Sequence, residues 1–209
     1  MRSLHSPLVP VLGILRENRR AYLLLNLLAY GLVLVGMAVG ALFPGLNAAS
    51  LADMESNGST ALASSLMSTP LLFALVIFAI NVGTVFIASI SVPSLIVPFA
   101  GIAIFAVRAL SIGTSLAPVV PTVRTTLVPH SLTLLLEVQA YVLVMLGAFV
   151  LGRAWLRPAS VGVERRRDGY LRGLRTLGVL LLPALVLLVI GALYEAFSLA
   201  YLVPLMLGR

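Results

Sequence analysis

The chain has 209 residues, 60% of them hydrophobic and 10% charged, with a mean hydropathy of +1.11. A soluble domain carries about 25% charged residues to cover its surface, so a soluble enzyme, a nucleic-acid-binding module and a disordered tail are excluded. The net charge of +7 arises from 14 basic residues, all arginine, against 7 acids. Eleven of the arginines lie before residue 21 or between 153 and 175. Basic clusters in alternate loops mark the cytoplasmic side of a membrane protein, which argues against nucleic acid as the partner. Cysteine is absent, so no disulfide, iron–sulfur cluster or thiolate metal site is expected.

Residues 1–20 hold Pro7, Pro10, Arg16, Glu17, Arg19 and Arg20, and the stretch 8–20 suits a short amphipathic helix in the interface. The first uncharged run, 21–43, is read as a retained span. A signal peptide cleaved near Ser50-Leu51-Ala52 competes, but its apolar region is usually only about 7–15 residues long. Residues 44–69 contain Asp53 and Glu55 and no base, as an external loop would. A second span covers about 70–92, followed by Ser94-Leu95-Ile96-Val97 between Pro93 and Pro98. That segment is too apolar for a solvated loop and implies a turn within the cytoplasmic interface or a re-entrant element.

Further spans are expected at about 99–116, 130–152 and 177–204, joined by an external loop at 117–129 and an arginine-rich cytoplasmic loop at 153–175. The expected fold is therefore all-α: a polytopic transmembrane bundle of about five spans, one membrane domain, with its N-terminus cytoplasmic. The continuous apolar runs do not alternate, which excludes a β-barrel.

Three charged residues fall inside these spans: Arg108, Glu137 and Glu195. Each costs at least about 2.5–3.5 kcal/mol at mid-bilayer, so each needs a partner or a purpose. Counted from Pro118, His130 and Pro204, they lie about 15, 10 and 13 Å below the outer ends of their spans. They therefore share one level, and Arg108 is expected to pair with Glu137, Glu195 or both. One arginine and two carboxylates leave a negative charge for a proton, a cation or a partner to neutralise. The cluster could fix packing, carry a proton or ion, or receive a partner helix. His130 lies two turns from Glu137 on nearly the same face, at the external mouth.

Gly36 and Gly40 form a GxxxG that allows close helix approach, within the chain or in a homo-oligomer. Gly147 and Gly152 read likewise. There is no HExxH, Walker A or GxSxG motif. His5 and His130 fall on opposite sides of the expected topology, so they cannot share a metal site.

Pro129-His130-Ser131, with Glu137, Ala140, Gly147 and Gly152, resembles a pattern of the stage II sporulation protein M family. In that family Pro-His-Gly opens a span, followed by Glu-x-x-Ala and spaced glycines. Asn81 resembles the family's asparagine in the second span, and Tyr194-Glu195-Ala196-Phe197 resembles its terminal Glu-Ala-Phe segment. The likeness covers about residues 70–205 in order. Ser131 replaces a glycine, and Arg108 through Gly113 stands where Asn-Gly-x-x-x-Gly is typical. The resemblance implies an integral membrane component of an envelope assembly, which in spore formers includes peptidoglycan-degrading partners. Members also occur outside spore formers, so sporulation itself is not implied.

The expectation is thus a non-enzymatic, multi-pass subunit of the cell membrane, without cofactor or metal, set in the lipid bilayer beside other membrane or envelope proteins. The alternative is a transporter subunit, either a permease served by a separate ATPase or an ion-coupled carrier. An embedded enzyme using Glu137 and His130 on a lipid-linked substrate ranks third. The 153–175 loop could contact protein or anionic headgroups, or act only as a topology signal.

Overall fold

Within a bilayer no water satisfies backbone N–H and C=O groups, so aliphatic runs of this length close their hydrogen bonds internally as helices. The computed structural model describes residues 8–56 and 58–206; His5 lies outside them. The described chain is all-α. It comprises α1 (Leu8–Glu17), α2 (Arg19–Leu42), α3 (Pro44–Ser56), α4 (Ser59–Leu66), α5 (Pro70–Ile96), α6 (Ala100–Ser115), α7 (Pro121–Leu156) and α8 (Arg166–Met206).

Four of these, α2, α5, α7 and α8, are long and apolar enough to cross a membrane. The protein is a membrane protein. Helix α6 is apolar but has only 16 residues, or about 24 Å against a hydrocarbon core of about 30 Å. It nevertheless runs antiparallel to α5 after a tight turn in which Phe99 takes the left-handed conformation (φ 66°). The Pro93–Pro98 segment is therefore the end of a helix followed by a turn. Gly101 lets α6 pass so close to α5 that a Cβ there would strike the Ile90 carbonyl, and its N–H donates to Ser94 Oγ at 3.1 Å.

Helices α7 and α8 form the most extensive pair. Helix α7 is the centre of the bundle, enclosed on every side from Tyr141 to Ala148. Along α8, Gly169, Gly173, Leu177, Leu180, Ala184, Leu188 and Ala192 make one buried stripe at three- and four-residue spacing. Outward-facing leucines such as Leu23, Leu27 and Leu34 on α2 stay exposed, as a lipid-facing surface requires. Gly36 and Gly40 seat α2 on α6. A Cβ on Gly36 would collide with the Leu110 carbonyl, and one on Gly40 would lie 2.6 Å from the Thr114 carbonyl.

Two connections are shorter than the sequence implies, and a third is helical. The 117–129 loop shrinks because α7 begins at Pro121 and continues through Pro129; membrane helices tolerate proline where neighbours compensate. The 153–175 loop shrinks because α8 begins at Arg166, so Arg172 and Arg175 are helical. The 44–69 connection folds into α3 and α4. Helix α3 is pinned by buried Asn47, whose Nδ2 donates to the Thr114 carbonyl at 2.8 Å at the end of α6.

The two arginine clusters meet at one end of the bundle. Arg153 Nη2 donates to Asn18 Oδ1 at 2.8 Å, joining the end of α7 to the junction of α1 and α2.

Candidate functional site

At the opposite end, beneath α3 and α4, the helices surround a cavity of about 440 Å³. Four helices supply its polar wall: Asn81 from α5, Arg108 from α6, His130, Glu137 and Tyr141 from α7, and Glu195 from α8. His130, Leu134, Glu137, Val138 and Tyr141 follow the helical spacing that stacks side chains on one face. Met54, Ser59 and Leu62 close the cavity from the connecting helices. The three intramembrane charges thus line one space.

Their pairing differs from the sequence expectation. Asn81 Nδ2 donates to Glu137 Oε1 at 2.5 Å. His130 Nδ1 lies 3.5 Å from Glu195 Oε1. Arg108 makes no ion pair with either glutamate; its Nη2 donates instead to Thr84 Oγ1 on α5 at 3.1 Å. The reason is geometric: equal depth does not set the direction in which a side chain leaves its helix. Arg108 leaves toward the α5 side, where it also lines a second groove of about 650 Å³ with Asp53, Ser89 and Ser111. Its guanidinium therefore stands in the wall between groove and cavity.

Both acid-bearing contacts adjoin irregular helix. From Asn81 to Ser91, α5 widens into π-type turns, with Ser89 Oγ and Ser91 Oγ each donating to the carbonyl five residues earlier at 2.7 Å. A second π-type stretch, Ser198–Leu202, follows Glu195. Such turns are frequent at functional sites because they re-aim side chains. Gly191 brings α8 onto Glu137: a Cβ there would lie 3.4 Å from Glu137 Cγ.

A smaller space of about 10 Å³, near the room of one water, sits between His130, Glu195, Ser198 and Thr133. Buried Thr133 Oγ1 has no hydrogen-bond partner among the described residues.

Sequence reasoning grouped Arg108, Glu137 and Glu195 with His130 at their mouth and named Asn81 only by resemblance; it did not single out Thr84, Thr133 or Tyr141. Tyr141 was within reach, since it stands one turn beyond Glu137 on the same face. It packs on Phe105 of α6, with ring centroids 5.5 Å apart. Pro129 lines the small space, whereas Gly147 lies away from the site against Leu177.

Chemically, two carboxylates and an imidazole beside one space can hold and pass a proton. Asn81 and Tyr141 add hydrogen-bonding groups, and Arg108 adds fixed positive charge at the wall. Compared with known families, curated proteins and solved structures, the chain matches no family model, no curated protein and no solved structure.

Proposed function

We propose that the chain is a non-enzymatic, multi-pass membrane subunit that anchors a partner in a complex of the cell envelope. The observation that supports this reading best is the near absence of chain outside the helices. The connection between α7 and α8, for example, is a single short 3₁₀ turn, Pro158–Val161, with its flanking residues. No described segment forms a soluble domain, and in this reading a partner supplies any extramembrane chemistry. The resemblance to the stage II sporulation protein M family points the same way. Its residues Asn81 and Glu137 are bonded to each other, and its His130 and Glu195 are neighbours. In this reading the two contacts lock α5, α7 and α8 together, and the arginine-rich end faces the cytoplasm.

Extraction of the chain from its native membrane in mild detergent tests the proposal. A fixed stoichiometry with an envelope protein that carries an extracytoplasmic domain is expected. Recovery as a lone chain would contradict it.

A second reading is a transport subunit, favoured by the 440 Å³ polar cavity and its flanking π-type turns. Co-isolation with an ATPase, or ion flux through the chain alone, would establish it instead.

A further inference from the structure

The arginine-rich end contains two further cavities that share a wall. One, of about 540 Å³, is lined by Arg16, Arg19, Arg20 and Arg153, with Leu24 and Phe149. The other, of about 510 Å³, is lined by Arg153, Arg172 and Arg175, with Ser160 and Thr176. Glu17 borders both and is the one carboxylate in either lining. It forms no ion pair within 4.0 Å among the described residues, so four guanidinium groups line the first cavity with a single carboxylate beside them. Positive-inside topology requires arginines on this face; it does not require them to converge on a cavity.

Arg153 is fixed in place. Its Nη2 is held by Asn18 Oδ1, and its guanidinium carbon lies 5.6 Å from the centre of the Phe149 ring. Its enclosed Nε has no acceptor among the described residues. The protein thus holds a cation rigidly and leaves part of its donor capacity unused.

The first cavity changes character along α2. Arg20 lines its polar part, and Leu24, one turn deeper on the same face, lines its apolar part and stays exposed. A guanidinium cluster continuous with an apolar wall matches a phosphate ester attached to acyl chains, since arginine recognises phosphate through charge-assisted hydrogen bonds. A free anion would gain nothing from Leu24 or Phe149. We infer that the cavity between the α1–α2 junction and the end of α7 binds the phosphate of an anionic phospholipid headgroup, with Arg16, Arg20 and Arg153 as its ligands. The site is separate from the polar cavity beneath α3 and α4 and holds whether that cavity anchors a partner or serves transport.

Native mass spectrometry of the full chain, offered phosphatidylglycerol or phosphatidylcholine, reads this directly. Phosphatidylglycerol is retained preferentially, and each guanidinium removed weakens that retention about fivefold. Arg153→Gln should show the loss, with thermal unfolding as a check on folding. Because Arg153 also joins helices, the double variant Arg16→Gln/Arg20→Gln carries the decision: both residues are exposed, so the fold survives while the preference falls. Equal retention of the two lipids, or unchanged preference in the double variant, would overturn the assignment. Displacement of phosphatidylglycerol by millimolar inorganic phosphate would reassign the pocket to a soluble anion and overturn the lipid.

Discussion

At the scale of single residues, the polar cavity beneath α3 and α4 rests on two contacts between helices. Asn81 donates to Glu137 and His130 meets Glu195. Hydrogen bonds between membrane helices contribute about 0.6 kcal/mol on average and up to about 1.7 kcal/mol. A double-mutant cycle of Asn81→Ala and Glu137→Gln, followed by reversible unfolding in detergent, should return a coupling in that range. A coupling of zero would remove the bond from the account. Arg108 makes the opposite case. Breaking a buried ion pair costs about 3–5 kcal/mol, but Arg108 is bonded to a threonine hydroxyl. Arg108→Leu should therefore cost no more than about 3 kcal/mol, and Thr84→Val should account for part of that loss. That the three charges face one space was legible in the sequence from a count along each helix, although α7 begins nine residues before the His130 from which its depth was counted. The partner of Arg108 was not, since it depends on how α6 is rotated about its own axis.

At the scale of the helix, close approach is set by where glycine stands. Gly36 and Gly113 face each other across α2 and α6: a Cβ on Gly113 would strike the Val33 carbonyl, and one on Gly36 the Leu110 carbonyl. Gly36→Ala and Gly113→Ala should each lower stability by about 1–3 kcal/mol, because backbone atoms cannot move aside cheaply. Gly31→Ala is the control, with nothing within 4 Å of the added atom, and thermal unfolding in detergent should show no loss. The GxxxG of Gly36 and Gly40 was visible as a motif, but whether it served a dimer or the chain's own packing depended on α6. The helix ends were less legible. Pro129 and the charged stretch 166–175 look like interruptions, yet α7 and α8 run through them. Neighbouring helices decide whether a proline breaks a membrane helix, and no local pattern records them. The π-type turns of α5 had no sequence signal beyond the serines that now bond five residues back.

At the scale of the whole molecule, charge and cavity are divided between two ends. Eleven arginines in two distant stretches of sequence were enough to anticipate a cationic face, and Arg153 and Asn18 join those stretches directly. The absence of cysteine makes the orientation easy to check. A membrane-impermeant maleimide should label a Ser64→Cys variant, on α4, in intact cells. It should reach a Ser160→Cys variant, at the arginine-rich end, only after permeabilisation. The reverse pattern would invert the bundle. The function of the polar cavity is decided by the chain acting alone. Purified chain reconstituted in liposomes under an imposed proton gradient should leak no faster than empty vesicles, because an anchoring subunit needs its partners to act. A proton flux above that background, abolished by Glu137→Gln or Glu195→Gln, would contradict the account and make the cavity a transport path.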